Sequence, residues 1–251
     1  MNTTVTSAES RTAIVTGASR GIGHAVAQRF RDRGWRVITL SRGPLPDRCP
    51  WSDEPNTHVQ IDLSDLAQIE RTVDALRPLL GGSRLDALVN NAGVSPKGPG
   101  GQRLNSLETD IDVWQSMYNA NFYAPLILTR GFAHELSRAR GTVVNLCSIA
   151  GRRVHPFAGS AYATSKAALA ALTREMAADM APMGVRVNAI APGEIDTAIL
   201  SPGTSRIVEE DIPMRRLGGV DEVADLVEFL CSERAAYITG AEIPIDGGQQ
   251  T

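Results

Sequence analysis

Several classes of protein are disfavoured by what this sequence lacks. Only 3 of its 251 residues are cysteines, and Cys49, Cys147 and Cys231 lie too far apart for a disulfide framework or a metal motif. The formal net charge of −3 offers no basic surface for nucleic acid. No run approaches the roughly 18 apolar residues of a membrane span, and residues 1–10 lack an apolar signal core. We therefore expect a cytoplasmic globular protein with reduced thiols.

Short β-rich segments alternate with helical patterns along the chain. Strands are predicted at residues 12–16, 36–41, 57–62, 85–90, 142–148, 185–190 and 241–245. Helices are predicted at residues 22–33, 65–80, 111–136, 161–180 and 221–231, with Asp221 capping the last one. This alternation predicts an α/β fold with a doubly wound, mostly parallel sheet and helices on both faces. Without a linker-like segment, residues 11–251 are expected to form a single domain after a flexible N-terminus at residues 1–10.

The first predicted strand leads into a glycine-rich turn, TGASRGIG at residues 16–23. Glycines allow a backbone to approach a pyrophosphate, and the start of the next helix supplies unpaired N–H groups. The spacing G-x-x-x-G-x-G differs from the G-x-G-x-x-G fingerprint. Its position between the first strand and the first helix nevertheless favours a dinucleotide site over a tight turn without a ligand.

The end of the second strand bears on the choice of cofactor. An acidic residue there would accept a hydrogen bond from a ribose 2′-hydroxyl and favour NAD(H). Ser41 stands at this position instead, followed by Arg42. Arg42 and Arg20 suit a 2′-phosphate, because guanidinium groups match phosphate geometry. The sequence therefore favours NADP(H), although both arginines could be solvated surface residues and NAD(H) stays open.

A tyrosine and a lysine share one helix face in the YATSK segment at residues 162–166. Tyr162 and Lys166 are four residues apart, and a nearby ammonium lowers the pKa of a phenol. This pair predicts a general acid/base, whereas an exposed pair on a helix is the alternative. Ser148 ends the fifth predicted strand, at the sheet edge where ligands bind in such folds, and Asn121 lies in the preceding helix.

These motifs resemble those of the short-chain dehydrogenase/reductase family, in its short single-domain branch similar to 3-oxoacyl-[acyl-carrier-protein] reductases. The resemblance extends from Arg11 to Gly248. It is carried by TGASRGIG at 16–23, DL at 62–63, NNAG at 90–93, NANF at 119–122, Ser148, YATSK at 162–166, APGEIDT at 191–197, RLGG at 216–219, ITG at 238–240 and DGG at 246–248. It implies a seven-stranded Rossmann fold and a homotetramer built on the helices at 111–136 and 161–180.

The resemblance also implies a role for each site residue. Tyr162 would exchange a proton with the substrate oxygen, Ser148 would orient that oxygen, and Lys166 would hold the nicotinamide ribose. Asn121 would position a water that links Lys166 to solvent. The implied cofactor contacts are Thr16, Gly17, Ser19, Arg20, Ile22 and Gly23 at the pyrophosphate and adenosine, Asp62 and Leu63 at adenine, Asn91, Ala92 and Gly93 along the centre, and Pro192, Gly193, Ile195 and Thr197 at the nicotinamide.

Two departures from the family pattern concern the catalytic strand. Cys147 stands where many relatives have serine, and we interpret it as a small buried residue rather than a nucleophile. Ser148 and Tyr162 are one residue further apart than in many relatives, which a longer loop at residues 152–160 could absorb.

The substrate side is less defined by the sequence. Residues 198–213 are expected to form a short lid, and residues 94–103 and 152–157 other walls, with His155 as a wall residue. Lys97, Arg152 and Arg153 are candidates for binding an anionic substrate group, and solvated surface charges are an equal alternative. The leading interpretation is reduction of a ketone or a 3-oxoacyl thioester.

Rival interpretations use the same fold. They are an NAD-dependent alcohol dehydrogenase, a dinucleotide-binding regulator without turnover, and a nucleotide-sugar epimerase or dehydratase. The intact Ser148, Tyr162 and Lys166 argue against the regulator. Epimerases usually carry a further C-terminal substrate region, which this sequence does not show. No metal cofactor and no nucleic-acid or membrane partner is expected.

Overall fold

All the strands that the structure describes belong to one parallel sheet. The computed structural model describes residues 10–47, 49–52, 54–55, 57–80, 84–197 and 203–251. The strands are β1 (Thr12–Thr16), β2 (Arg36–Ser41), β3 (His58–Gln60), β4 (Ala87–Asn90), β5 (Thr142–Leu146), β6 (Arg186–Pro192) and β7 (Glu242–Ile245). They pair in parallel in the order β3-β2-β1-β4-β5-β6-β7. The strand order reverses between β1 and β4, and ligands bind at such a switch point in open α/β sheets.

Helices cover both faces of this sheet. They are α1 (Gly21–Asp32), α2 (Leu66–Leu76), α3 (Ile111–Tyr118), α4 (Ala124–Gly131), α5 (Ala133–Ala139), α6 (Ser160–Met180), α7 (Thr204–Glu210) and α8 (Val220–Leu230). Val15 of β1 packs with α1 and α8, whereas its neighbour Ile14 packs with α2, α4 and α6. Successive side chains of a strand point to opposite faces, so each face gains its own apolar layer. The predicted doubly wound α/β fold is confirmed.

The prediction of one long helix at residues 111–136 is wrong. The segment contains α3, a wider π-helical turn at Asn119–Tyr123, then α4 and α5, with Phe132 between the last two at φ −105° and ψ 14°. Pro125 lies in the first turn of α4. Proline has no N–H to donate to the preceding turn, so a regular helix does not continue through it. Asn121, one of the predicted site residues, lies in the π-helical turn at this break.

The prediction that Asp221 caps the last helix is also wrong by two residues. Gly219 is the cap, and its N–H donates to the Glu222 carboxylate over 2.7 Å. Asp221 instead lies in the first turn, where its negative charge is favourable at the positive end of the helix dipole. Arg216 donates to both oxygens of Glu222, each over 2.8 Å, and holds the chain that enters α8.

Other element ends shift by a few residues. β3 is shorter than predicted, α2 ends at Leu76 before a 3₁₀ turn at Arg77–Leu79, and β5 ends at Leu146. Ser148 therefore lies just beyond the strand.

The three cysteines are buried and unbridged. Across the described ranges, no helix is both long enough and apolar enough to cross a membrane. The prediction for residues 1–10 falls almost wholly outside the described residues.

Candidate active site

A cavity of about 550 Å³ opens where the carboxyl ends of the parallel strands meet. It runs from the loops after β1 and β2, past β4, to the loops after β5 and β6. The predicted site residues that line it are Gly17, Ser19, Arg20, Ile22, Ser41, Arg42, Asp62, Leu63, Asn91, Ala92, Gly93, Ser148, Tyr162, Lys166, Pro192, Gly193, Ile195 and Thr197. Thr16, Gly23 and Asn121 are not among the described residues that line it. The structure thus gathers nearly all the predicted positions around one cavity.

The glycine turn after β1 is held against the loop after β4. Gly17 has φ +68°, and a Cβ there would lie 2.8 Å from the Ala92 Cα. The Asn91 amide donates to the carbonyls of Thr16 and Gly17 over 2.9 and 3.2 Å. The Ala92 N–H donates to the Thr16 hydroxyl over 3.0 Å. Only glycine fits at position 17, because both its backbone conformation and its close neighbour exclude a side chain.

Gly23 packs against the glycine turn and does not line the cavity. It is buried in α1, and a Cβ there would lie 2.5 Å from the Gly17 carbonyl oxygen. The side chain of the helix cap, Arg20, makes no capping hydrogen bond to the first turn of α1. N–H groups at a helix start that lack a side-chain cap are suited to bind a phosphate. The turn and the helix start therefore fit the pyrophosphate of a dinucleotide.

The far end of the cavity carries two arginines and one carboxylate. Arg20 and Arg42 both line it, and Ser41 donates its hydroxyl hydrogen to the Gly43 carbonyl over 2.6 Å. Asp62 accepts from the N–H and hydroxyl of Ser64 over 2.9 and 2.8 Å. The Ser64 backbone hydrogen bond is the main cause that lowers the pKa of Asp62, with a smaller contribution from the Arg42 charge. This end offers a carboxylate acceptor and two guanidinium groups.

Tyr162 and Lys166 meet at the other end of the cavity. The Lys166 Nζ donates to the Leu146 carbonyl over 2.6 Å and lies 5.9 Å from the centre of the Tyr162 ring. Burial raises the pKa of Tyr162, the hydrogen bond with Ser148 opposes this, and the charge of Glu194 adds to it. Burial lowers the pKa of Lys166. The pKa of Tyr162 is therefore raised in the protein alone, where the sequence predicts a lowered one, because desolvation of the phenolate dominates.

Ser148 lies beside Tyr162, despite the extra residue between them. Its hydroxyl accepts from the Ala150 N–H over 3.2 Å and so begins a 3₁₀ turn at Ile149–Gly151. Cys147, the preceding residue, lines the cavity, and burial raises the pKa of its thiol to about 12. A thiol with so high a pKa stays protonated at neutral pH, which agrees with our interpretation that it is no nucleophile.

Asn121 does not line the cavity but contacts two segments that do. Its Oδ1 accepts from the Val94 N–H over 2.8 Å, and its Nδ2 donates to the Val94 carbonyl over 3.0 Å and to the Ser165 hydroxyl over 3.1 Å. The side chain is fully buried in the π-helical turn. It therefore joins the loop after β4 to α6, one residue before Lys166. Its expected hold on a water stays a prediction.

Glu194 is a polar residue of the cavity that was not predicted from the sequence. This residue lines the cavity within the PGEI segment, where its neighbours were interpreted as cofactor contacts. Its Oε1 lies 2.7 Å from Nε2 of His155, a wall residue as predicted. The available signal was the acidic residue within the APGEIDT motif at residues 191–197. Sequence spacing could not show that it meets a histidine from another loop.

The three candidate anion-binding residues have different surroundings. Lys97 lines the cavity and donates to the Phe157 carbonyl, and burial lowers its pKa. Arg152 lies 3.3 Å from the Glu242 carboxylate, and Arg153 donates to the Gln249 carbonyl over 2.5 Å. Neither arginine is among the described residues that line the cavity. The expected lid at 198–213 includes α7, while residues 198–202 lie outside the described part of the chain.

The comparisons with known proteins agree with this geometry. A family model described as "Enoyl-(Acyl carrier protein) reductase" matches residues 17–250. Protein FixR of Bradyrhizobium diazoefficiens is 54% identical over 250 residues, which are 99% of this chain and 90% of that protein. The 3-oxoacyl-[acyl-carrier-protein] reductase FabG of Aquifex aeolicus is 32% identical over 254 residues, covering 96% and 97% of the two chains. The chain belongs to the short-chain dehydrogenase/reductase family.

A solved structure of this family shows the same fold. It is an oxidoreductase from Brucella ovis in complex with a partially ordered NAD, with 54% identity, a TM-score of 0.83, and coverage of 95% of this chain and 100% of that one. Members of the short-chain dehydrogenase/reductase family are oxidoreductases that act on CH–OH groups with NAD or NADP. Among the described residues of this member, no cluster of His, Cys, Asp and Glu could hold a metal ion.

Proposed function

We propose that this protein is an NADP(H)-dependent oxidoreductase that interconverts a carbonyl and a secondary alcohol. One observation carries the proposal: a single cavity joins a glycine turn and two arginines at one end to Tyr162 and Ser148 at the other. A nucleotide suits the first end, and a proton-transfer pair occupies the second. Residues 11–251 would act as one domain that carries both functions.

The described residues fit a nicotinamide dinucleotide. The turn at Gly17 and the start of α1 would hold the pyrophosphate, and Asp62 with Leu63 would contact adenine. Asn91, Ala92 and Gly93 would line the central part, and Pro192, Gly193, Ile195 and Thr197 the nicotinamide. A Cβ on Gly93 would lie 3.2 Å from the Lys166 Nζ, so a larger residue would press on the lysine that would hold the ribose. When bound, the cofactor supplies or accepts the hydride.

Tyr162 would handle the proton. Because burial raises the pKa of this phenol, it is protonated at neutral pH and can donate to the developing oxyanion during carbonyl reduction. Ser148 would donate a second hydrogen bond to the same oxygen. The Lys166 ammonium, 5.9 Å from the ring centre, would offset the negative charge left on Tyr162. In alcohol oxidation, the same groups would act in reverse.

The preference for NADP(H) depends on charge at the far end of the cavity. Ser41 presents no carboxylate to repel a 2′-phosphate, and Arg20 and Arg42 both line the cavity. The alternative is an NAD-dependent alcohol dehydrogenase, which gains support from the NAD bound to the Brucella ovis relative. Similarity to a 3-oxoacyl-[acyl-carrier-protein] reductase supports reduction of a ketone or 3-oxoacyl group.

A panel of ketones and alcohols with NADPH, NADH and their oxidised forms tests the proposal. The nicotinamide absorbance band follows turnover directly. We expect carbonyl reduction with a higher kcat/KM for NADPH than for NADH. Equal or better use of NADH would select the NAD-dependent alternative. Cofactor binding without turnover of any substrate would select the non-catalytic regulator.

We also propose that the protein is a cytoplasmic homotetramer, as the family resemblance implies. The described segment from α3 to the π-helical turn supports self-association, because Ile111 and Tyr123 are 76% and 42% exposed. Buried free cysteines are compatible with a reducing compartment. Light scattering at micromolar concentration should give four times the monomer mass, and a stable monomer would refute the assembly.

A further inference from the structure

Three polar side chains form a wall beside the catalytic end of the cavity. Lys97, His155 and Glu194, which we call the polar wall, all line the cavity with Ser148 and Tyr162. The side chains of His155 and Glu194 are only 8% and 15% exposed. Burial of charged groups is costly unless they are paired or meet a polar ligand. Internal pairing reduces this cost, but the polar wall still places polar groups at the surface of a cavity where a polar part of a ligand can meet them.

The peptide group of Phe157 holds two members of the polar wall. Its N–H donates to the His155 Nδ1 over 3.2 Å, and its carbonyl accepts from the Lys97 Nζ. Because Nδ1 accepts, the imidazole carries its hydrogen on Nε2, which lies 2.7 Å from the Glu194 Oε1. The histidine thus presents its N–H side to the carboxylate and keeps Glu194 at the cavity surface.

Glu194 is near enough to the reacting groups to influence them electrostatically. Burial is the main cause of the raised pKa of Tyr162, and the negative charge of Glu194 adds to the rise. The same charge opposes the effect of burial on Lys97. Glu194, Ser148 and Tyr162 line the same cavity, so a substrate whose carbonyl oxygen reaches Ser148 and Tyr162 occupies the space that the Glu194 carboxylate faces.

We propose that Glu194 is a specificity-determining residue whose carboxylate binds a hydrogen-bond-donating substituent, hydroxyl or ammonium, close to the reacting carbon of the substrate. This inference rests on the proposed function. An aliphatic substituent would remove water from the carboxylate without replacing the hydrogen bonds that the water made. Enzymes use this loss of hydrogen bonds to reject substrates that lack a polar group. The favoured substrates are small polar ketones and their diol or amino-alcohol products, in preference to simple alkyl ketones.

A matched pair of ketones tests this inference. Hydroxyacetone and butanone have similar size and differ in whether a hydroxyl or a methyl follows the CH₂ group. We expect the wild type to favour hydroxyacetone in kcat/KM by roughly 10- to 100-fold, the range of a hydrogen bond to a charged group. Glu194→Gln should reduce this preference to a few-fold, mainly by lowering activity on hydroxyacetone. Equal preference in both proteins would overturn the inference.

The control variant is Glu70→Gln, which removes the same charge from an exposed position of α2. It should retain the wild-type preference.

Aminoacetone distinguishes the two hydrogen-bond donors, ammonium and hydroxyl. A larger loss of kcat/KM on aminoacetone than on hydroxyacetone in Glu194→Gln identifies an ammonium ligand, and the reverse identifies a hydroxyl ligand. Either result supports the carboxylate site, whereas unchanged activity on both contradicts it.

Direct binding separates this inference from the proposed reaction. Saturation-transfer NMR can measure whether hydroxyacetone and butanone bind wild type and Glu194→Gln in the presence of NADP⁺, with no need for turnover. Preferential binding of hydroxyacetone that depends on Glu194 would support the site even if NADPH were never oxidised. Turnover of both ketones without discrimination would support the reaction and overturn the site.

Discussion

Asn121 and Val94 are joined by two hydrogen bonds, one in each direction. The Val94 N–H donates to Oδ1 over 2.8 Å, and Nδ2 donates to the Val94 carbonyl over 3.0 Å. The side chain of Asn121 therefore hydrogen-bonds the backbone N–H and carbonyl of Val94, as a neighbouring β-strand would. Because the same amide also donates to the Ser165 hydroxyl, the loop after β4 and α6 are held in one arrangement.

Replacement of Asn121 by alanine should destabilise the protein. The change leaves the half-buried N–H and carbonyl of Val94 without their partner, at a cost of about 2–3 kcal/mol for two such groups. Urea unfolding measures the loss in unfolding free energy. Asn119→Ala, which removes a single half-buried hydrogen bond to the Ser64 carbonyl, should cost about 1 kcal/mol. Similar losses in the two variants would contradict the importance of the Val94 contact.

Replacement of Tyr162 by phenylalanine should abolish turnover while NADPH still binds. The variant lacks the transferable proton, so we expect kcat to fall by about 10²–10⁴ or more. Cofactor fluorescence gives the binding constant, and NADPH absorbance gives the rate. Tyr237→Phe is the matched control, because Tyr237 is fully exposed on the surface. Substantial activity in Tyr162→Phe would assign the proton to another group.

Replacement of Arg42 by alanine should weaken the use of NADPH and spare that of NADH. Loss of one charge-assisted contact to a 2′-phosphate should raise KM for NADPH roughly 10- to 100-fold. Steady-state kinetics with both cofactors provide the comparison. Arg71→Ala, which removes an exposed charge from α2, should change neither KM. A parallel loss with both cofactors would mean that Arg42 does not recognise the 2′-phosphate.

Alanine at Gly17 should cost more than alanine at Gly34. Both glycines have a left-handed conformation, with φ +68° and +75°, so each substitution carries about 1–2 kcal/mol of backbone strain. A Cβ at position 17 would also lie 2.8 Å from the Ala92 Cα, whereas a Cβ at position 34 would meet nothing within 4 Å. Thermal unfolding and NADPH titration should show an additional loss of stability and of cofactor affinity only in Gly17→Ala.

The buried phenol of Tyr162 should contribute a stability that declines at high pH. Its pKa in the folded protein is raised above the ordinary value of about 10. The folded state therefore keeps the proton longer, so this stability is fully present below pH about 10 and is lost as the pH rises towards the folded pKa. The free energy of unfolding of wild type and of Tyr162→Phe should be compared by urea unfolding across pH 8–11. Both proteins keep Lys166, so the difference between their curves reports on the phenol. Parallel stability curves would contradict it.

Local patterns in the sequence were sufficient for much of the fold and for the main site residues. The limits of β1 and β2 match their predictions, because short β-rich runs end at glycine or at a polar residue. The alternation of elements predicts the parallel sheet, and parallel strands bring their carboxyl ends to one edge. The TGASRGIG turn and the YATSK segment could therefore be placed in the same site before their distance was known.

Features that depend on non-local contacts could not be predicted in this way. The break in the helix around Asn121 depends on how the segment packs beside the loop after β4, as well as on Pro125. The pKa of Tyr162 is raised mainly by burial, which the spacing of Tyr162 and Lys166 along the chain does not show.

The sequence by itself therefore determined the layers and the positions of the glycine turn and of the YATSK segment, since these follow from short-range periodicity and turn chemistry. The tertiary structure decided which charges meet. His155 and Glu194 come from different loops and lie 2.7 Å apart only because β5 and β6 are neighbours in the sheet. Electrostatics and desolvation depend on such distances in space, which spacing along a chain does not specify.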